Sequence, residues 1–368
     1  MKKGLLAFLC LAAVELTAVG YKGNAESSVQ AQAGVTVTPT VSSTASPAKQ
    51  EDKIESPIQI DTSIPIEKGA RIAVVVKSVS TGYWKNFQKN MEMAVEYLNQ
   101  AYGYTGADKI TMTYEGPKEE SDVTTQINTI DAVLAENPSV LCLAASDVNS
   151  CEAQLETAKE NGIPVIMFDS NVSSDLASVF CGTNNVKAGA MAADKLCRAI
   201  GNEGEVAVVA HENAAQTSKD RVRGFRRRIQ NKHPNVTLSS ITFKNGEEKL
   251  EDDVRKVLES HPDLKGIFCT NPEAAETVLN ILKEYPEREI QVVGFDSGSI
   301  QKKAIAEGIE YGVIAQDTYQ MAFETIWAAA CSTAKNEEEV QNTSEKIYVK
   351  HVWINQKNLE KNEKYLYD

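Results

Sequence analysis

Val165-Ile166-Met167-Phe168-Asp169-Ser170 and Val292-Val293-Gly294-Phe295-Asp296-Ser297 carry one message twice. In each, a continuous apolar run of strand length stops at an acid followed by a small hydroxyl residue. A run without polar alternation suits a parallel strand covered on both faces. An acid at the carboxyl end of such a strand lies where open α/β sheets gather ligands, in the crevice beyond the strand tips. If the two tips face each other, the chain forms a two-lobed clamp for something rich in hydroxyls.

Outward from these runs, strand and helix patterns alternate regularly from Arg71. Strand signals cover Ile72–Val76, Ile110–Tyr114, Val140–Leu143, Pro164–Phe168, Val206–Ala210, Thr237–Phe243, Gly266–Cys269, Ile290–Gly294 and Val313–Ala315. Helical patterns fall between them, such as Phe87, Met91, Ala94, Val95 and Leu98 at spacings of three and four. Gly162, Gly201 and Asn137-Pro138 mark helix stops. This alternation predicts βαβ units with right-handed crossovers, an α/β chain of parallel sheets. The chain of 368 residues exceeds the ~250–300 at which single cores stop growing. Two doubly wound lobes are expected, with the switch near Thr183-Asn184.

The residues that follow each strand define the candidate site. The first strand leads into Lys77, Ser78, Ser80 and Thr81, then Tyr83-Trp84. Later strands lead to Asp169, towards Arg221, into Asn271, into Asp296, and into Gln316-Asp317. Planar polar side chains of this kind bind neighbouring hydroxyls through paired hydrogen bonds. Aromatic faces stack on the apolar faces of a sugar ring. Each residue also has a plainer role. Asp169 and Asp296 could cap turns, Asn271 before Pro272 initiates turns, and one of Tyr83 and Trp84 packs into the core. Their coincidence at one end of successive strands favours the site.

Composition narrows the function. The chain is 42% hydrophobic and 24% charged with a formal net charge of −13, which argues against a nucleic-acid surface. No G-x-G-x-x-G follows the first strand and no P-loop lysine motif occurs, so no nucleotide cofactor is expected. Seven cysteines and four scattered histidines offer no zinc-type spacing, so no metal is expected. Cys142, Cys181 and Cys269 lie in or beside apolar runs, where free cysteine acts as a small hydrophobe. A disulfide remains open, with no pairing indicated.

Lys2 and Lys3 precede the apolar stretch Leu5–Val14, with small residues following, which is the layout of a signal peptide over 1–25. The stretch is too short for a membrane span. Leu16-Thr17-Ala18-Val19-Gly20 resembles the approach to a lipoprotein cleavage site, but Tyr21 stands where the lipidated cysteine would be. Residues 26–66, rich in Ser, Thr and Pro, are expected as a disordered tether with a reach of ~35 Å.

The residues also resemble the ribose-type periplasmic sugar-binding proteins, the solute receptors of bacterial ABC importers. The resemblance rests on Ile72–Trp84, PVIMFDS at 164–170, DRVRGF at 220–225, HPDLKGIFCTN at 261–271, VVGFDSGS at 292–299 and VIAQ at 313–316. It implies the type I periplasmic binding protein fold, two lobes joined by a three-crossing hinge. The crossings are expected near Thr183-Asn184, Gln316-Asp317 and the Ile347–Ile354 strand. The N-terminal lobe would take 67–183 plus 317–345, and the C-terminal lobe 184–316 plus 346–360. An aromatic clamp at Tyr83 and Trp84 is implied, with polar contacts at Asp169, Arg221, Asn271, Asp296 and Gln316. Ser80, Thr81 and Asn245 complete the candidate ligand set. Three departures concern the pocket. Ser170 replaces an arginine usual after the first cleft aspartate, Thr81 replaces an asparagine, and a position near Asn245, with Phe243 close by, replaces an aromatic expected before the HPD helix end.

The resemblance thus implies an exported, monomeric, non-catalytic receptor that binds a pentose or hexose and serves a membrane permease. A sugar-sensing partner of a membrane chemoreceptor or receptor kinase is the alternative. A sugar-responsive repressor would need a helix-turn-helix headpiece where this chain has its export signal. A glycosidase using Asp169 and Asp296 as a carboxylate pair finds no further support in the sequence.

Overall fold

A computed structural model describes residues 54–244, 249–334 and 346–367. The expected signal peptide, the tether as far as residue 53, and Asn245 lie outside the described residues. The first half contains β1 (Arg71–Val75), α1 (Gly82–Tyr102), β2 (Thr111–Glu115), α2 (Val123–Ala135), β3 (Val140–Leu143), α3 (Glu152–Glu160), β4 (Val165–Phe168) and β5 (Val179–Thr183). The second contains α4 (Asn185–Ala199), β6 (Gly204–Ala210), α5 (Gln216–Lys232), β7 (Val236–Phe243), α6 (Leu250–Ser260), β8 (Leu264–Cys269), α7 (Pro272–Leu282), β9 (Gln291–Phe295), α8 (Ser299–Ala306) and β10 (Gly312–Gln316). Then follow α9 (Thr318–Cys331), β11 (Lys346–Val349) and β12 (His351–Ile354). Each of the nine strands read from the sequence has its counterpart here, displaced by a residue or two at most.

Among the described residues the strands form two sheets, ordered β11-β5-β4-β3-β1-β2 and β12-β10-β9-β8-β6-β7. Within each, the sheet starts at its second strand, steps back to the first and then runs outward, the flavodoxin-like order with its switch point beside the first strand. Pairing is parallel except for β12, which runs antiparallel to β10. Central strands β3 and β4 are buried at every position. Edge strand β2 instead alternates exposed and half-buried positions, as a strand covered on one face should.

Among the described residues the chain passes between the sheets at three places. It crosses from β5 to α4 at Asn184, from β10 to α9 at Asp317, and from β11 to β12 at Lys350. Asn184 and Asp317 each cap the following helix, accepting from Lys187 N and Gln320 N at 3.0 Å, so two of the crossings are pinned by capping. The third crossing differs in detail from expectation. Residues 346–349 pair with β5 and belong to the first lobe, not the second.

A second difference concerns the tether. Ile54, Ile58, Ile60 and Ile64 pack against the core of the first lobe, and Ile66 is buried in it. The Tyr102 hydroxyl donates to the carbonyls of Asp61 and Ile64, and that of Tyr104 donates to Ile66. Five isoleucines between 54 and 66 supply apolar surface that the Ser/Thr/Pro-rich composition conceals. Described residues 54–66, expected as tether, are therefore packed on the first lobe.

Helices α4 and α5 meet through a glycine on each. A Cβ at Gly189 would strike the backbone of Arg221, and one at Gly224 the backbone of Val186. This close approach fixes Arg221 on α5 against Asn185 on α4, and so sets one wall of the site.

Candidate functional site

The two acids that end the apolar runs occupy equivalent positions in the two lobes. Asp169 follows β4 and Asp296 follows β9, and both adopt left-handed backbone, with φ of 55° and 59°. Aspartate tolerates this region better than most non-glycine residues. The Asp169 N–H donates to Cys181 O at 2.9 Å and the Asp296 N–H to Ile314 O at 2.8 Å, each on the neighbouring strand. The tight turn tips both carboxylates into one cavity of ≈ 350 Å³.

A chain of hydrogen bonds joins them. The Tyr83 hydroxyl donates to Asp169 Oδ1 at 2.6 Å. Gln316 Nε2 donates to that hydroxyl at 3.2 Å and to Asp296 Oδ2 at 2.9 Å. Asp169, Tyr83, Gln316 and Asp296 are all buried, and Gln316 Oε1 has no partner. Buried polar atoms seldom stay unpaired, and this oxygen is closed off from the cavity as well.

The first lobe adds a charged cluster. Lys77, directly after β1, is buried, with Nζ 3.3 Å from Glu120 Oε2 and 3.9 Å from Asp169 Oδ2. Trp84 Nε1 donates to Glu120 Oε1 at 2.7 Å. Burial opposes the charge on Lys77, yet Glu120 and Asp169 outweigh it and raise its pKa. Burial likewise acts to raise the Glu120 carboxyl, but Lys77 and the Trp84 hydrogen bond leave it below its ordinary value. Tyr83 and Trp84 meet edge to face with centroids 5.0 Å apart. Trp84 is the deeper of the two, packed into the core beside Phe87 and Phe168.

In the second lobe, Arg221 donates from Nε to Asn185 Oδ1 at 2.8 Å and from Nη1 to Thr270 O at 2.7 Å. Its guanidinium lies 3.5 Å from the centre of the Phe295 ring. Held on three sides, it keeps further N–H donors for other partners. Burial pushes the Asp296 carboxyl up to about 7, against the pull of Arg221 and of the Gln316 hydrogen bond, with Asp169 adding to the rise. His211, after β6, bonds Thr270 Oγ1 at 2.7 Å and Thr217 Oγ1 at 3.0 Å through its two ring nitrogens. Burial lowers its pKa well below the usual value, with Arg221 and Lys77 adding to the fall. It is a neutral spacer.

Of the residues expected from sequence, Thr81, Tyr83, Trp84, Asp169, Arg221, Asn271, Asp296 and Gln316 line this one cavity. Asn271 also has its plainer role, since its Oδ1 accepts from Ala274 N and caps α7. Ser80 does not line the cavity. It is exposed, and its N–H turns back to Ser78 Oγ at 3.1 Å. Lys244, beside Asn245, faces the cavity instead, its Nζ 2.6 Å from Glu273 and 3.5 Å from Glu212. Glu120, His211, Glu212, Glu276 and Tyr367 are lining residues that the sequence reading did not assign.

Residues 72–336 match the family model described as a periplasmic binding protein domain. The chain belongs to this family. A ribose import binding protein of Bacillus subtilis is 25% identical over 177 residues, 48% of this chain and 57% of that protein. The alignment thus spans a little over half of that relative. A D-ribose/D-allose-binding protein of Pseudomonas aeruginosa is 22% identical over 246 residues, 65% of this chain and 74% of the other. Among solved structures, an ABC transporter solute binding protein of Agrobacterium vitis with bound D-fucose superposes with a TM-score of 0.69 at 25% identity, covering 81% of this chain and 100% of that one. Another from the same species, bound with alpha-D-tagatopyranose, gives a TM-score of 0.73 at 22% identity over 81% and 99%.

In this periplasmic binding protein the departures at the cleft have visible consequences. Ser170, in place of an arginine, is buried with its Oγ unpartnered. Thr81 stands at the N-cap of α1 without a side-chain capping bond. The six cysteines of the described residues are buried and free, which leaves no disulfide among them. Among the described residues no group of three or more His, Cys, Asp or Glu side chains is placed to hold a metal ion. No described helix is long and apolar enough to cross a membrane.

Proposed function

We propose that this protein is an exported solute receptor that encloses one monosaccharide, a pentose or hexose, between its lobes and delivers it to an ABC permease. The chain Asp169–Tyr83–Gln316–Asp296 carries this reading, because it brings acceptors and donors from both lobes to one cavity. Vicinal hydroxyls need such paired acceptors and donors, and Arg221 and Asn271 extend the set. The cavity lies towards the small end of the ~300–1,000 Å³ typical of ligand pockets, which suits a single ring rather than an oligosaccharide. The names of the relatives point to the same ligand class.

The receptor works as a hinge, without catalysis. Open and closed forms interconvert, and a sugar that touches both lobes favours the closed form by its differential affinity. Closed lobes present the permease with a surface that the open form lacks. The unit acts as a monomer outside the cytoplasmic membrane, with no cofactor and no nucleic-acid partner.

A thermal-shift screen of the exported region against pentoses, hexoses and polyols tests the proposal. Ligand at a hundredfold over Kd stabilises the folded state by ~2.7 kcal/mol, a clear rise in Tm. A panel in which no monosaccharide raises Tm would exclude the proposed ligand class.

A further inference from the structure

We infer that Tyr367 is a specificity-determining wall of the sugar site, delivered across the hinge by the segment that follows β12. The inference rests on the sugar-receptor reading and lies outside residues 72–336, the span matched by the family model.

The segment crosses near two of the three connections between the lobes. The Lys350 ammonium lies 5.4 Å from the centre of the Tyr365 ring and 3.5 Å from Asp317 Oδ2. Lys350 is the third crossing and Asp317 the second. The next two residues then separate. Leu366 is buried in a cluster with Ile305, Val313, Ala315 and Ile354 of the second lobe. Tyr367 is buried in the core cluster of the first lobe, its ring 5.7 Å from that of Tyr83 in an edge-on arrangement. Adjacent residues are thus anchored to opposite lobes, and relative lobe motion must disturb one or the other.

Tyr367 also lines the cavity between the acids, and the cavity of ≈ 350 Å³ exists with the ring in place. The ring is therefore a wall, not a plug. Its hydroxyl approaches the backbone of Ser297 but makes no well-formed hydrogen bond. That hydroxyl is closed off from the cavity, so the part of Tyr367 that a sugar would meet is the ring. Burial holds its pKa well above the usual tyrosine value, with Asp296 adding to the rise, so the group stays neutral and able to donate. The ring completes an aromatic boundary with Tyr83 and Trp84.

The test is calorimetric titration of the full chain with D-ribose, D-allose, D-arabinose and D-fucose. It compares the unaltered protein with Tyr367→Phe, Tyr367→Ala and Asp169→Ala, each variant's fold checked by its Tm without sugar. For a sugar that the unaltered protein binds, Tyr367→Phe keeps the ring and is expected to leave affinity and preference unchanged. Tyr367→Ala removes the wall, so it should weaken binding about tenfold, and the order of preference among the four sugars should change. If Asp169→Ala weakens binding while Tyr367→Ala leaves affinity and preference intact, the inference is overturned and the receptor reading stands. Tighter binding by Tyr367→Ala overturns it too, by showing the ring to be an obstruction. If the unaltered protein binds none of the four, the inference falls together with the receptor reading for these sugars.

Discussion

At the scale of single residues, the site depends on two aspartates in left-handed turns. Truncating Asp296 takes away the acceptor of Gln316 Nε2 and the carboxylate offered to sugar hydroxyls, so Asp296→Ala is expected to cost at least ~2 kcal/mol of sugar binding by calorimetry. Binding should also depend on pH, and the sign follows from where the proton sits. In the free protein the Asp296 carboxyl stands at about 7. A sugar that donates hydroxyls favours the ionised carboxylate and must displace a proton below that pH. Affinity should therefore weaken as pH falls from about 7 towards 5, by up to ~tenfold per unit, and Asp296→Asn should flatten the slope. Affinity that strengthens towards acid would contradict this protonation scheme. The two acids were legible because each ends an apolar strand abruptly. Glu120 and His211 were not, because a loop acid or a buried histidine carries no signal of direction in the sequence. Tyr367 was hidden for another reason, since its role comes from a path across the hinge rather than from a strand tip.

At the scale of elements, the regular alternation of strands and helices was readable throughout. Strands between two helical layers need unbroken apolar runs, and helices need the spacing of three and four. What composition obscured was the start of the packed region, where isoleucines at 54, 58, 60, 64 and 66 lie among polar neighbours. The register of the last two strands was equally hidden, because the single residue Lys350 separates one lobe from the other. Helix contacts offer the sharpest test at this scale. The backbone of Val186 stands where a Gly224 side chain would go, so Gly224→Ala must force α4 and α5 apart. A loss of ~1–3 kcal/mol in chemical denaturation is expected, as for other overpacked sites. Because the same contact positions Arg221, sugar affinity should fall as well. A Gly224→Ala protein of unchanged stability would show that this helix contact yields easily.

At the scale of the whole molecule, two sheets of the same strand order present their carboxyl ends to one cavity. That geometry explains why the same Asp-Ser pair recurs in distant parts of the sequence. Each half supplies only one side of the hydrogen-bond chain. The shape of the pocket was not legible, because its lining includes Lys77, Glu120 and Tyr367, whose placement comes from packing between remote segments. The most direct test is a crystal structure of the protein with whichever monosaccharide gives the largest thermal shift. The account predicts one sugar ring in the cavity, with hydroxyls donating to both Asp169 and Asp296 and its apolar face against an aromatic ring. A sugar held by one lobe only, or bound elsewhere on the surface, would contradict it.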